Sequence, residues 1–343
     1  MKKILALLMI SLLAVGVLTA CSSDSDTTDA TADSTTDSTT ESSADDTAYP
    51  EKAINLVVPF AAGGDTDVNA RIFAQYLSEE LGVSVGVTNT SGAAGMLGAQ
   101  QVIDSATDGY TVLWSHTEVL IPYIAGTSEI QIDDLDVAGI GMLTDTTVLA
   151  VSADSGITSI EELIAAAQAA PGEIEFAMST GGYPHLIGIA LEEELDVDFN
   201  LVNVGGNSDK ITALLGGHTD VINVEYSLAK DYFENGDFIC LAVLSEERNE
   251  YFPEIPTLVE MGYDVVFNKF FFCGFAEDTP TEIIEEFSAA MEAVVNNEEF
   301  QAACEEYFIS PVYMNVEESL EYISGVNDTL SGYGELFRSE IEE

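Results

Sequence analysis

Residues 54–71 read Ile-Asn-Leu-Val-Val-Pro-Phe-Ala-Ala-Gly-Gly-Asp-Thr-Asp-Val-Asn-Ala-Arg: an apolar run that stops at Pro59, a glycine turn, and an amphipathic run that starts near Asp67. That order is a strand, a tight turn and a helix start. Backbone N–H groups without intrahelical partners and the positive end of a helix dipole meet in such a turn. An anion can be held there without a basic side chain. The point matters because the chain has 9 Lys and Arg against 61 Asp and Glu. A site for a negatively charged ligand must then be built largely from neutral donors.

The pattern repeats along the chain. Strand-like runs occur at Ile54 to Val58, Val83 to Val87, Thr111 to Trp114, Val148 to Val151, Ile174 to Ala177, Phe199 to Val204, Val221 to Val224 and Ile239 to Val243. Between them lie helical patterns, among them Asp67 to Leu81 with Gly82 as its stop, Ser159 to Ala169, Asp209 to Leu215 and Pro280 to Asn296. This alternation predicts an α/β protein of parallel sheets covered by helices, with ligands beyond the carboxyl ends of the strands. The stretch from residue 49 onward is long enough for two domains.

The amino terminus reads as an export signal. Lys2 and Lys3 precede a short apolar core, Ile4 to Leu18, too short for a spanning helix. Leu18-Thr19-Ala20-Cys21 resembles the bacterial lipobox, which implies a signal peptide over 1–20 and lipid attachment to Cys21. Residues 22–48 contain only Ser, Thr, Asp, Glu and Ala. They cannot form a core and are expected to be a disordered tether.

Without the tether's 8 acidic residues and the signal's 2 lysines, residues 49–343 carry 53 acidic and 7 basic residues, a net charge of 7 − 53 = −46. Nucleic acid is excluded as a partner, because a phosphate backbone calls for clustered Lys and Arg. Cys240, Cys273 and Cys304 are too far apart for a zinc pattern or a redox pair, and no cofactor is indicated.

Four loops follow strands and carry small or hydroxyl residues: Pro59 to Thr66, Asn89 to Gly95 (with Ser91), Ser115 to Thr117, and Ser179-Thr180-Gly181-Gly182-Tyr183-Pro184-His185. The last leads into a helical pattern, so it is a second anion-friendly helix start. Two such turns facing each other suggest a ligand carboxylate between them. Gly92, Gly95 and Gly98 lack the Gly-x-Gly start of a dinucleotide fingerprint, and no Gly-Lys-Ser/Thr phosphate loop occurs. His116 and His185 lie in the candidate loops and serve either ligand or structure; His218 reads as a turn residue. No histidine pair has metal spacing and no Gly-x-Ser-x-Gly elbow is present. Nothing favours catalysis. Phe270 to Phe272, beside Lys269, read as core packing or as a ring over the ligand.

With these loops in place, the chain resembles the substrate-binding receptors of tripartite tricarboxylate transporters, also called Bug proteins. The resemblance runs from Tyr49 to about Thr329 and rests on Tyr49-Pro50-Glu51-Lys52-Ala53-Ile54, Pro-Phe-x-x-Gly-Gly-x-Thr-Asp-Val-x-Ala-Arg at 59–71, Asp108-Gly109-Tyr110-Thr111, Leu214-Leu215-Gly216-Gly217, Asp220-Val221 and Ile255-Pro256-Thr257-Leu258. It implies a two-lobed type II periplasmic-binding-protein (Venus flytrap) fold, each lobe a mainly parallel sheet flanked by helices. The chain would cross twice, near Val148 to Val151 and Phe267 to Phe272, giving one lobe of 49–149 with 272–343 and another of 150–271. By the same resemblance Phe60, Gly63, Gly64, Thr66 and Asp67 form one jaw on a carboxylate and Ser179, Thr180, Gly181, Gly182 and His185 the other, with Ser91, Ser115, His116 and Thr117 nearby. Asp67 is expected to cap its helix and pair with Arg71 rather than meet an anion.

The sequence departs from the family pattern where relatives carry Tyr-Lys-Gly and this chain reads Val204-Gly205-Gly206, so that a wall lysine is missing. Glu225 and Glu118 either face solvent or stand near the cleft. In the second case they favour a ligand carrying an amine or hydroxyl donor beside its carboxylate. The implied partners are a small organic carboxylate, the large and small membrane subunits of the transporter, and the outer face of a membrane through the lipid. The receptor is expected to be extracytoplasmic, monomeric and not an enzyme. A lipoprotein that senses its ligand for signalling, or a two-lobed α/β enzyme, are the alternatives.

Overall fold

A computed structural model describes residues 49–342. The expected signal, Cys21 and the tether lie outside the described residues. The strands are β1 (Ile54–Val58), β2 (Val85–Asn89), β3 (Thr111–His116), β4 (Leu135–Thr144), β5 (Thr147–Ser152), β6 (Glu175–Met178), β7 (Asn200–Asn203), β8 (Val221–Glu225), β9 (Phe238–Val243), β10 (Lys269–Ala276) and β11 (Ser310–Met314). They form a six-stranded sheet, β11-β4-β10-β3-β1-β2, and a five-stranded sheet, β7-β6-β8-β5-β9. Each sheet, with its helices, is one lobe.

The chain passes from the six-stranded sheet to the other between Thr144 and Thr147 and returns between Val243 and Lys269. The expected divisions at 149/150 and 271/272 fall inside β5 and β10. Both sheets are mixed rather than mainly parallel. β1 is parallel to β2 and β3, and β6 to β7 and β8, but β10 runs antiparallel to β3 and β4, and β5 to β8 and β9. The reason is the crossovers. A parallel neighbour is reached over a covering helix, whereas β5 and β10 enter their sheets directly from the other lobe.

β4, β10 and β11 were not expected as strands. In β4, Gly139 and Gly141 interrupt the β-forming signature, and the Gly139 site has no room for more, since a Cβ there would lie 2.8 Å from the Met314 carbonyl oxygen. β10 is buried on both faces. Phe270 and Phe272 join one core cluster, while Phe271, Cys273 and Phe275 join another. A strand covered on both sides shows an unbroken apolar run instead of an alternating one.

Helices cover the sheets by their apolar stripes. Asp65–Leu81 packs Phe73 against Trp114 of β3 with ring centroids 4.6 Å apart and ends at Gly82, whose φ is 68°. Each large side chain buried in this layer contributes about 1.5–3 kcal/mol. In the other lobe, Tyr183–Leu195 buries Leu186, Ile187 and Ala190, while Asn207–Leu215 buries Ile211 and Leu214 in a separate cluster. The last helix, Gly334–Glu342, touches both lobes. Its Arg338 Nη1 donates to the Ile124 carbonyl at 2.7 Å, and its Phe337 ring lies edge-on to His185 of the five-stranded lobe at 4.9 Å.

Candidate functional site

Three helices direct their amino-terminal ends at one cavity between the lobes. They are Asp65–Leu81 from the six-stranded lobe, and Tyr183–Leu195 and Asn207–Leu215 from the other. Each starts from a glycine, Gly64, Gly182 or Gly206, which offers no capping side chain of its own. Acidic residues take part of the freed N–H groups, Asp65 that of Thr66, Glu118 that of Tyr183 and Asp209 that of Gly206 at 3.3 Å. The lining also includes Phe60, Thr66, His116, Glu118, Ser179, Asn223 and Lys269.

The first glycine turn is braced from behind. Asp67 accepts the Gly63 N–H at 2.9 Å and the Asn89 side-chain amide at 3.0 Å, and pairs with Arg71 at 2.8 Å. Burial raises its pKa, but the hydrogen bonds from Arg71, Gly63 and Asn89 outweigh that and hold it below the usual carboxylate range. Asp67 fixes the loop and does not line the cavity. Gly63 sits at φ 82°, a conformation that favours glycine. Its carbonyl accepts from Ser208 Oγ of the opposite lobe at 3.2 Å.

In the second glycine turn Gly181 has φ 75° and donates its N–H to His185 Nδ1 at 3.2 Å. Burial pushes His185 down to about 4, which keeps the acceptor nitrogen unprotonated at neutral pH. Gly182 stands against Glu118. The Glu118 carboxylate accepts the Tyr183 backbone N–H, and a Cβ on Gly182 would run into Glu118 Oε1. Burial raises Glu118 to about 7, against the hydrogen bond from Tyr183 and the positive charges of Lys269 and Lys210.

The cavity floor is ionic. Lys269 Nζ lies 2.7 Å from Asp65 and 2.6 Å from Glu225. Burial would lower its pKa, but the two carboxylates hold it well above the usual lysine value. Asp65 is lowered to about 2, since Lys269 outweighs its burial. Lys210, fully buried, donates to the Asn223 carbonyl and to Asn223 Oδ1. Burial and the like charge of Lys269 bring it down to about 7. His116 accepts the Glu118 N–H at 3.2 Å through Nδ1, and burial, then Lys269, lower it to about 3.

Of the residues singled out from sequence, the structure brings Phe60, Gly64, Thr66, His116 and Ser179 to the cavity wall, with Gly182 just behind Glu118. It does not bring Gly63, Asp67, Ser91, Ser115, Thr117, Thr180, Gly181 or His185 into the lining. Ser91 and Thr180 are exposed, Ser115 is buried within β3, and Thr117 Oγ1 accepts the Phe270 N–H at 3.2 Å at the hinge. Glu225 is buried and saturated by Thr146, Thr147 and Lys269, so it neither faces solvent nor meets the cavity. Two of the seven basic residues of 49–343 stand here, Lys269 in the lining and Lys210 behind Asn223, and both are engaged by protein groups. Asp65, Tyr183, Asn207, Ser208, Lys210, Asn223 and Lys269 were missed. The available signal was a lysine in a setting that should be apolar: Lys269 opens an aromatic strand, and Lys210 shares a helix face with Leu214.

Two sheet-centred lobes, two chain crossings and a cleft between them give the two-lobed α/β fold of periplasmic binding proteins. The tripartite tricarboxylate transporter family receptor model matches residues 69–338, and the chain belongs to that family. It is 34% identical over 223 residues to protein BugT of Bordetella pertussis, spanning 63% of this chain and 67% of that one. The structure of the periplasmic binding protein BugD superposes with a TM-score of 0.75 at 25% identity, covering 85% of this chain and 98% of that one. MatC from Rhodopseudomonas palustris, solved with bound malate, shares the fold with a TM-score of 0.76 at 20% identity, covering 84% and 100%. The protein is a receptor and not an enzyme.

Proposed function

We propose that the protein captures a small organic carboxylate in the cleft between its lobes and delivers it to the large and small membrane subunits of a tripartite transporter. The observation that carries this reading is the convergence of three helix starts, from both lobes and each beginning at a glycine, on one cavity with Lys269 at its floor. N–H groups at helix starts take anions, and contacts to both lobes make closure depend on the ligand. The malate in MatC supports the same ligand class. The proposed contacts are Phe60, Gly64, Thr66, His116 and Ser179, with Asn207 and Ser208 added from the structure.

Cys21 is proposed to carry the lipid that keeps the receptor at the outer membrane face, through the lipobox-like Leu18-Thr19-Ala20-Cys21. Labelling with a fatty-acid analogue should mark the wild type and not Cys21→Ser. For the ligand, mass spectrometry of small molecules released from the purified protein should return an organic acid. A neutral sugar or a metal complex in its place would refute the reading.

A further inference from the structure

A protein carboxylate stands at each of the three helix starts, Asp65 and Asp209 from within their own helices and Glu118 from the opposite lobe. Glu118, from the turn that follows β3 in the six-stranded lobe, reaches across the cleft and accepts the Tyr183 N–H of the opposite lobe, with its Oε1 against Gly182. Its placement is firm. The residue is 5% exposed, and its own N–H is held by His116 Nδ1. Glu118 therefore sits where a carboxylate of a ligand bridging the two glycine turns would sit.

We infer that Glu118 is a resident carboxylate that fills the anion position of the Tyr183–Leu195 helix, so that the cleft selects a ligand with a single carboxylate and a neutral or cationic remainder. This rests on the proposed role as a carboxylate receptor. The wall that remains for a ligand is Gly64 and Thr66 facing Asn207 and Ser208, where Asn207 donates to Asp65 at 3.1 Å and Ser208 to the Gly63 carbonyl at 3.2 Å across the cleft. Charge points the same way. Lys269 and Lys210 stand against Asp65, Glu225, Glu118 and Asp209; Lys269 is already paired to two of these, and Lys210 is buried and held by Asn223. A second ligand carboxylate would enter with no free cation to meet it and would face Glu118 across the cavity. Like charges brought together in a desolvated site discriminate strongly against the wrong partner.

Titration calorimetry at about pH 8, where Glu118 is ionised, of the wild type, Glu118→Ala and Glu118→Gln tests this with lactate, glycine, alanine and butyrate against malate, succinate, adipate and citrate. The wild type should bind at least one monocarboxylate and hold every di- and tricarboxylate at least about tenfold more weakly. Glu118→Ala should gain at least about tenfold for a dicarboxylate. Glu118→Gln keeps the position filled and should gain less. A wild type that prefers a dicarboxylate, or a Glu118→Ala variant whose preferences are unchanged, overturns the inference and leaves the receptor role standing. If none of the folded proteins binds any of these acids, the carboxylate-receptor reading falls and this inference falls with it.

Discussion

Lys269 and Glu225 meet at 2.6 Å where the two lobes join. Lys269 opens β10 just after the second crossover, and Glu225 closes β8 while accepting from Thr146 and Thr147 at the first, each at 2.8 Å. One ion pair thus ties both crossovers together, and Asp65 brings in the first glycine turn. Removing the cation leaves two buried carboxylates unpaired. Lys269→Met should lower stability by about 3–5 kcal/mol, as read by urea denaturation, and adding Glu225→Gln should recover part of the loss. A change below about 1 kcal/mol would show that the pair does not hold the hinge.

Gly182→Ala should drive a methyl group into the Glu118 carboxylate, with a cost of about 1–3 kcal/mol for overpacking. Glu118→Ala in the same chain should cancel most of that cost. A double-mutant cycle with a coupling near zero would mean that the two residues are not in contact.

Burial moves Glu118 from its ordinary 4.5 to about 7. Between those values the folded protein keeps a proton that the unfolded chain releases, so this group's contribution to stability falls as pH rises. His116 and His185, lowered from 6.5 to about 3 and 4, act in the opposite sense over most of the same window. The difference between Glu118→Gln and the wild type isolates the glutamate. It should grow in favour of the variant by a few kcal/mol from about pH 4.5 to 7 and stay level above that. A constant difference across pH 4.5–8 would contradict the raised value.

Asp67→Ala removes the acceptor for the Gly63 N–H and for Asn89, and unpairs Arg71. The expected loss is about 1–3 kcal/mol, with faster hydrogen exchange at Gly63. Asp67→Asn should lose less. Unchanged exchange at Gly63 would show that the turn holds its shape without this brace.

The sequence made the first glycine turn legible because its signals are local: a strand ends, glycines permit positive φ, and Asp67 lies four residues from both Gly63 and Arg71. The second turn was legible for the same reason. Lys269, Asp65 and Glu225 were not, since their relationship spans 204 and 44 positions along the chain and depends on β10 inserting antiparallel between β3 and β4. Glu118 was visible as an acid near a candidate loop, but only the lobe-to-lobe approach shows that it points at Gly182 rather than at solvent. β10 itself was read as an aromatic block, because burial on both faces erased the alternation that marks a strand.

The C-terminal helix is a clasp between the two lobes. Arg338 is fastened to Ile124 on one lobe and Phe337 rests on His185 of the other, so the helix bridges the same two lobes that Asn207 Nδ2 and Asp65 Oδ1 join at 3.1 Å in the cleft. The imidazole beside Phe337 also holds the Gly181 N–H. A single side chain thereby connects the clasp to the second glycine turn.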